Sequence, residues 1–573
     1  MLNYKCNKCN ISLKTSECPV CGERAELVSS TIYWCSNCKV PVYEDTCPVC
    51  GGKAKKIATD LRPVFPEERL LLEILLGEPM KYKEASVWCS STSVYYADGE
   101  RVEFKSGEAV RSNNIDTIRQ QLEEYRSENT YETFTETIKK WVMANKDRYN
   151  YITSEAMDYI RKIADGIDTT SMFVSFSGGK DSTVVSDLVM RALPDKQILH
   201  LYGDTTLEFP ETMLYVDRFR KSHAKVPVIT AKNRTKDFYE LCEQIGPPSR
   251  VMRPCCTIFK TGAIQRKISA LFKNQTRILT FYGIRRNESK SRNKYDRESD
   301  GAKILKQHTV SPIIDWIDYD VWLYLLSTGI DFNTAYRLGY TRVGCWCCPN
   351  NSSWSEFLSK IYMPEQYGKW HDFLISFAKR IGKPDPEVYV DEGKWKARQG
   401  GNGLDYANTT VISYEPCVLQ ENTLNIALQK PLDNEIYEFF KPFGYINKEI
   451  GNLRLGEVYV TGKDGKLKLK LQGNIGDTEL KVSILDKNAG HAQNIAAAED
   501  KVRCQLMKRQ MCIGCLACES VCKVGAISVE PDNAGMRTYR INDDKCVRCG
   551  ECISHFDGGC YLRKVVRIQK KKD

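Results

Sequence analysis

Hydrophobic and polar positions divide the chain into stretches of different period. Met172-Phe173-Val174-Ser175-Phe176 is an apolar run of strand length, and from Thr183 to Leu193 the apolar residues recur at helical spacing, so the pair predicts strand, turn, helix. Ile198 to Asp204 predicts a second buried strand. Upstream, Leu70 to Leu76 reads as a short buried helix and Val94 to Phe104 as a hairpin turning at Asp98-Gly99. Residues 113 to 166 read as two or three helices with Ile138, Trp141 and Val142 on one face. Downstream, Lys466-Leu467-Lys468-Leu469-Lys470-Leu471 alternates strictly, after Tyr459-Val460-Thr461 and a turn at Asp464-Gly465, and Ala492 to Gln510 is an alanine-rich helix. A glycine-rich linker lies at 400 to 403. The expected division is 1–56, 60–127, 128–168, 169–400, 408–490 and 491–573.

Composition narrows the class. A length of 573 residues fits about four domains at roughly 150 residues each. A net charge of +10 permits an anionic partner without requiring one. The 25 cysteines fall in C-x2-C sets, and the N-terminus Met1-Leu2-Asn3-Tyr4-Lys5 lacks an apolar signal core, which points to metal-bound thiolates in a reducing cytoplasm. No apolar stretch approaches the roughly 20 residues of a membrane span, so no membrane partner is expected.

The turn between the first strand and helix is Ser177-Gly178-Gly179-Lys180-Asp181-Ser182. Two glycines let backbone N–H groups turn around an anion, the helix adds its positive end, and Lys180 and the serines add donors. The spacing is not that of a Walker A loop. It resembles the PP-loop of the ATP-pyrophosphatase superfamily, which implies adenine nucleotide binding, with magnesium as a companion ion. Asp204 and Thr205, where the second strand ends, suit a ribose or metal at the carboxyl edge of a doubly wound sheet.

Further segments resemble the sulfonucleotide reductases, which reduce adenylyl sulfate (APS) or its 3′-phosphorylated form (PAPS). Asp204-Thr205-Thr206-Leu207-Glu208-Phe209-Pro210-Glu211-Thr212 is similar to that family's Asp-Thr-Gly-x2-Phe-x-Glu-Thr, with Thr206 in place of glycine. Tyr282-Gly283-Ile284-Arg285-Arg286 is similar to its Gly-x-Arg-Arg, and Ser311-Pro312-Ile313-Ile314-Asp315-Trp316 with Asp320-Val321-Trp322 to its Pro-Ile-x-Asp-Trp and Asp-Val-Trp. Arg285, Arg286, Lys290, Arg292, Lys294 and Arg297 form a cationic run whose guanidinium forks match sulfate or phosphate. The alternative is a solvated basic loop. Lys180, Asp181, Arg285 and Arg286 are the expected catalytic residues; Ser177 to Ser182, Asp204, Thr205 and Gly283 the expected nucleotide-binding ones. The family's Glu-Cys-Gly-Ile/Leu-His, which carries its attacking cysteine, does not occur in this sequence. Cys417 stands in surroundings that do not match it.

Twenty of the 25 cysteines sort into five groups. Cys6, Cys9, Cys18 and Cys21, then Cys35, Cys38, Cys47 and Cys50, repeat one pattern ending in Cys-Pro-Val-Cys-Gly, suited to structural zinc, with rubredoxin-like iron the alternative. Cys255-Cys256 with Cys345 and Cys348 resembles the 4Fe-4S site of bacterial and plant-type APS reductases, zinc being the alternative, and Cys347 is left spare. Cys512-x2-Cys515-x2-Cys518-x3-Cys522 and Cys546-x2-Cys549-x2-Cys552-x7-Cys560 resemble a two-cluster ferredoxin. That resemblance implies one 4Fe-4S cluster on Cys512, Cys515, Cys518 and Cys560 and another on Cys546, Cys549, Cys552 and Cys522.

The expected fold is multidomain α/β: zinc ribbons, a small α+β module that is either PUA-like or a plain scaffold, a central doubly wound Rossmann-like parallel sheet, a second α+β module and a ferredoxin-like domain. The expected function is reduction of an adenylyl sulfate to sulfite with electrons relayed by iron–sulfur clusters from an electron donor. The alternative is an ATP-dependent sulfur transferase acting on RNA or another nucleic acid.

Overall fold

The computed structural model describes residues 2–6, 8–13, 18–22, 25–195, 197–234, 236–289, 292–301, 306–398, 410–531, 537–554, 560–561 and 567–570. The linker at 400 to 403 and Lys290 lie outside them.

Two small sheets open the chain: β1 (Leu2–Cys6), β2 (Ile11–Leu13) and β3 (Glu26–Ser30) in order β2-β1-β3, then β4 (Ile32–Cys35), β5 (Val40–Val42) and β6 (Lys55–Ala58) in order β5-β4-β6. The first buries little beyond Cys6, Cys18 and Ala25, while the second packs Ile32, Trp34, Val40 and Val42 into the core around the central sheet. Each brings four cysteine thiols within 4.8 Å of one another, the donor set of a tetrahedral metal. Next come β7 (Leu61–Pro63), α1 (Pro66–Leu75), β8 (Val87–Ser90), β9 (Tyr95–Ala97) and β10 (Glu100–Arg101), a four-stranded sheet in order β10-β9-β8-β7. Asp98 and Gly99 both have positive φ, 49° and 86°, as a two-residue Asp-Gly hairpin turn requires. Gly99 is needed for a second reason: a Cβ there would overlap the Trp34 indole of the second cysteine sheet.

Helices α2 (Ser106–Ser112), α3 (Ile115–Glu124), α4 (Glu132–Ala144) and α5 (Lys146–Ala164) lead into the centre. Ile152, Ala156, Ile160 and Ala164 of α5 are buried at i, i+4, i+8, i+12, one stripe of an amphipathic helix. Trp141 of α4 is fully buried, 5.0 Å from Trp88 ring to ring, and its indole N–H donates to Tyr319 Oη at 2.7 Å.

The central unit follows as β11 (Met172–Phe176), α6 (Lys180–Ala192), β12 (Leu199–Asp204), α7 (Pro210–Ser222), β13 (Val228–Lys232), α8 (Phe238–Ile245), α9 (Gly262–Leu271), β14 (Ile278–Phe281), β15 (Glu298–Asp300), β16 (Gln307–Val310) and α10 (Asp318–Thr328). The six-stranded sheet runs β13-β12-β11-β14-β16-β15. Every pairing is parallel except β15 with β16, so the expected parallel sheet carries one antiparallel edge. Strand β11 is buried along most of its length, as an apolar run without alternation demands. Helices α11 (Ser353–Tyr362), α12 (Pro364–Arg380) and α13 (Pro386–Asp391) complete this region.

Strands β17 (Thr410–Pro416) and β18 (Thr423–Leu428), helix α14 (Ile436–Phe440), and strands β19 (Tyr445–Asn447), β20 (Glu457–Thr461), β21 (Leu467–Gln472) and β22 (Glu479–Ile484) form the second module. Along β21, Leu469 and Leu471 are buried while Lys468 and Lys470 are half-exposed. Helix α15 (Ile495–Met511), capped by Asn494 accepting from Ala497 N–H, then delivers α16 (Ala517–Val521), β23 (Ile527–Pro531), β24 (Arg537–Ile541), α17 (Glu551–Ser554) and β25 (Arg567–Lys570). Strand β25 pairs with β17 and completes a seven-stranded sheet, so the segments 408–490 and 491–573 share one sheet. Among the described residues no helix is long and apolar enough to cross a membrane.

Asp60, just before β7, is 7% exposed and accepts from the backbone N–H groups of Asp318 and Tyr319, both at 3.0 Å, capping α10 from outside. Burial, then the charge of Asp318, pushes its carboxyl up to about 7. The native state therefore holds a proton that the unfolded chain releases near pH 4, and this contribution to stability falls as pH rises from about 4 to about 7. Asp60→Asn keeps one of the two acceptor oxygens and removes the titration, so it adds a pH-independent offset. Its thermal midpoint relative to the parent is expected to climb through that window; a constant difference from pH 4 to 8 would refute the assignment. Trp141→Ala is expected to cost about 3–5 kcal/mol in chemical denaturation, from the lost ring and its hydrogen bond to the Tyr319 hydroxyl.

Candidate functional site

Strand β11 has parallel neighbours on both sides, β12 and β14, whose connections leave in opposite directions. Such a switch point opens a crevice outside the carboxyl ends of the strands. The loop Ser177–Ser182 follows β11 there, and Tyr282-Gly283-Ile284-Arg285 follows β14.

The glycine loop is held from behind. Gly178 has φ +72°, and a Cβ there would lie 2.9 Å from Thr212 Cγ2. Asn333 Nδ2 donates to Gly178 O at 3.1 Å, Ser177 N–H donates to Ser182 Oγ at 3.1 Å, and Lys180 N–H donates to Tyr336 Oη at 3.0 Å. Helix α6 starts at Lys180, so its first-turn N–H groups lack intrahelical partners, and Lys180 has already spent its own on tyrosine. Gly283 lets the second loop touch the first: a Cβ there would sit 2.7 Å from the Asp181 carbonyl carbon.

Between the loops lies a cavity of 530 Å³. Ser177, Gly179, Lys180, Asp181, Ser182, Gly283 and Arg285 line one side, and Glu208, Lys260 and Cys345 its end. The N-terminal module adds Asp60, Arg62, Cys89, Ser90, Ser91 and Ser93 to the lining. No periodicity in the sequence assigned those residues to the site, because the contact joins segments far apart in the chain.

A buried charge network floors the cavity. Lys180 Nζ lies 3.3 Å from Asp318 and 3.9 Å from Asp181, and donates to Thr341 O at 3.1 Å. Burial works against its charge, yet Asp318 and Asp181 outweigh that and hold the ammonium above its ordinary pKa. Arg285 is 3% exposed and donates to Asp181 at 2.5 Å and Asp318 at 2.8 Å. The expectation that Arg285 and Arg286 present free forks to an anion is therefore corrected. Arg285 is consumed in the floor, and Arg286 pairs with Asp315 and Tyr295 O away from the cavity. Of the rest of that run, Arg292 lines the cavity paired to Glu288 and Arg297 pairs with Glu155. The cations at the cavity with more freedom are Lys260, exposed, and Arg342, 69% exposed and 3.8 Å from Glu288.

Asp204 and Thr205 serve the adjoining loop. Asp204 accepts from Thr206 N–H at 2.8 Å and pairs with Lys232 at 3.1 Å; Thr205 Oγ1 donates to Glu208 and lies 3.7 Å from Cys345 Sγ. Thr206 has φ +65°, the left-handed region that glycine occupies without strain, which accounts for glycine at this place in the resembling motif. Cys345 bridges Glu208 in a short antiparallel pairing, and Trp346 N–H donates to Leu207 O at 3.0 Å, so the Cys345–Cys348 segment is clipped to the β12 loop.

Cys255 begins a π-helical turn that runs Cys256–Thr261 and continues as α9. The Cys255 thiol bonds to Cys256, which together with burial and the neighbouring Cys345 raises its pKa. The same bond, helped by Arg253 and Lys260, lowers Cys256 to about 6 despite burial. Burial pushes Cys345 up to about 12, with Lys260 opposing. Soft thiols from two segments, with lysine beside them, fit a thiolate-ligated metal group.

At the C-terminal end, burial pushes the Cys515 thiol up, and Cys560, Cys518 and Cys512 add to it. Cys552 is pushed up to about 11 by burial, opposed by Lys508 and reinforced by Cys522, Cys546 and Cys549. The thiol charges that act on Cys515 thus include one from the other run, Cys560, and those that act on Cys552 include Cys522.

The phosphoadenosine phosphosulfate reductase domain family matches residues 171–351, and the 4Fe-4S dicluster domain family residues 511–555. Two uncharacterized proteins of Methanocaldococcus jannaschii are 31% and 30% identical over 264 and 274 residues, covering 46% and 48% of this chain. The chain spans 61% and 55% of the length of those relatives. An adenosine 5′-phosphosulfate reductase of a Geobacillus species is 28% identical over 177 residues, 30% of this chain and 70% of that protein. A crystal structure of phosphoadenylyl-sulfate reductase from Candida auris aligns over 35% of this chain and 96% of its own, with 14% identity and a TM-score of 0.28. The chain carries a phosphoadenosine phosphosulfate reductase domain at its centre and a 4Fe-4S dicluster domain near its C-terminal end.

Proposed function

We propose that this chain is a sulfonucleotide reductase-like enzyme that takes an adenylyl sulfate into the cavity and reduces it to sulfite and AMP. The observation that carries this reading is that one cavity is bounded by the glycine loop, Lys260 and Cys345 together. Nucleotide phosphate and thiol site then share a wall.

In this reading the first-turn N–H groups of α6 and the Ser177 and Ser182 hydroxyls hold the adenylyl phosphate. Lys180 and Arg285 fix Asp181 and Asp318 and so keep the loop in shape. Lys260 and Arg342 meet the sulfate end. Cys255, Cys256, Cys345 and Cys348 hold one 4Fe-4S group, with Cys512, Cys515, Cys518 and Cys560, and Cys546, Cys549, Cys552 and Cys522, holding two more. Structural zinc sits at Cys6, Cys9, Cys18 and Cys21 and at Cys35, Cys38, Cys47 and Cys50. When bound, the iron–sulfur groups supply single electrons from an external donor. Adenylyl sulfate plus two electrons gives AMP and sulfite: the sulfur–oxygen bond breaks, the oxygen stays on AMP, and sulfur is reduced.

Iron-replete protein handled without oxygen, given APS and a reduced one-electron donor, is expected to release sulfite and AMP. Pyrophosphate and AMP from ATP, only with RNA present, would instead establish the ATP-dependent sulfur transferase. Gly283→Ala must shift the Asp181 backbone, at about 1–3 kcal/mol for an overpacked contact. It is expected to weaken adenine-nucleotide binding by about tenfold to a hundredfold in calorimetry, with circular dichroism unchanged. Unchanged affinity would remove the glycine loop from the nucleotide site.

A further inference from the structure

The dicluster segment is docked against the part of the central domain that carries Cys255 and Cys256. Tyr561, 6% exposed, places its hydroxyl 2.8 Å from Thr257 Oγ1. Each partner is the covalent neighbour of a thiol: Thr257 follows Cys256, and Tyr561 follows Cys560. Around this pair the surfaces interlock. Gln265 Nε2 donates to Cys522 O at 2.9 Å, Arg266 pairs with Glu519 at 3.6 Å, and a Cβ on Gly262 would overlap Ser520 Oγ. Tyr561 belongs to one continuous apolar core against which Cys255, Cys345, Cys515 and Cys560 all pack.

The second thiol set is only partly turned to the central domain: Cys522 meets it through its carbonyl and Cys552 packs on the same core. Cys549 is exposed, Cys546 is half-exposed, and Val547 between them is 64% exposed. The first set therefore adjoins the central domain through Cys560 and Tyr561, and the second runs from Cys522 at that contact out to Cys549 in solvent.

We propose that the Thr257–Tyr561 hydrogen bond is the crossing point for electrons between the dicluster segment and the Cys255, Cys256, Cys345 and Cys348 site. Electrons enter at the Cys546, Cys549, Cys552 and Cys522 group and leave through the Cys512, Cys515, Cys518 and Cys560 group. The order rests on the reading that all three thiol sets hold 4Fe-4S groups; it does not depend on which substrate the cavity takes. Each transfer oxidises the delivering group by one electron and reduces the receiving group by one, the electron coming from an external one-electron donor. One route runs from Cys560 through Tyr561, across one hydrogen bond, to Thr257 and Cys256. Thr257 and Tyr561 are positioning residues: they touch no substrate and fix the separation of the two groups.

The test uses the full chain, iron-replete, mixed with dithionite and frozen at intervals for electron paramagnetic resonance. Parent protein is expected to reduce the dicluster signals first and the third signal afterwards, with spin–spin broadening between the third signal and one dicluster signal. Thr257→Val and Tyr561→Phe, with parental iron content and circular dichroism, are expected to slow the later phase by about tenfold, which is about 1.4 kcal/mol in barrier. Thr257→Ser, which restores a hydroxyl, is expected to recover it. Cys515→Ser should abolish the broadening and Cys549→Ser preserve it. The reverse pattern, or a later phase unchanged in both hydroxyl deletions, would overturn the proposal. Sulfite is not the readout, so a protein inactive on APS can still pass, and an active one can still fail.

Discussion

The fold turns on burying Lys180, Arg285, Asp181, Asp318 and Asp60 together. Moving any one of these from water into the interior is costly unless the others compensate it, and removing one partner from such a set typically costs about 3–5 kcal/mol. Two cations balance two carboxylates. The fifth group, Asp60, is the surplus charge, and its carboxyl is pushed up to about 7. Since the five residues come from the N-terminal module, α6, the loop after β14 and the start of α10, satisfying the charges forces these elements to meet at one point.

That requirement explains why the N-terminal module is a wall of the cavity rather than an appendage. Asp60 caps α10 while Arg62, two residues on, pairs with buried Glu68 at 2.6 Å and lines the cavity. The second cysteine sheet is drawn in by the same geometry: Tyr319 Oη, next to Asp318, donates to Pro41 O at 2.9 Å. The aromatic hairpin, which in sequence reads as part of either a PUA-like module or a plain scaffold, has protein against it, with Gly99 pressed on Trp34.

Local chemistry was legible in the sequence and long-range pairing was not. The Ser177–Ser182 turn, the Asp98-Gly99 hairpin and the alternation of β21 depend on neighbours along the chain, where propensity and period act. The cysteine spacings were legible because a metal imposes geometry that short loops must satisfy. Arg285 misled because a motif names a residue type but not its partner: the same guanidinium fork that suits sulfate suits Asp181 and Asp318 better when all three are dry. Lys260 went unnoticed although it lies four residues past Cys256, one turn along the helical segment. The antiparallel edge at β15 carries no signal in Glu298–Asp300, which is exposed and polar.

The C-terminal half extends the same logic from charge to position. Strand β25 returns to β17, and Glu435 and Glu438 of the second module accept from Tyr539 and Ile541 N–H at 2.6 and 2.7 Å, while Phe439 stacks on Tyr539 at 4.5 Å. Helix α15 is buried from Cys504 to Gln510, including Lys508 and Arg509, because it threads between that sheet and the dicluster segment. A small thiol-rich unit with little core of its own gains its rigidity from metal and from neighbours. Here the neighbours hold it on two sides, the second module and α9. A carrier that exchanged partners would gain from being loose; one clamped between Glu435 and Glu438 on one side and Thr257 and Gln265 on the other is built to keep one distance constant.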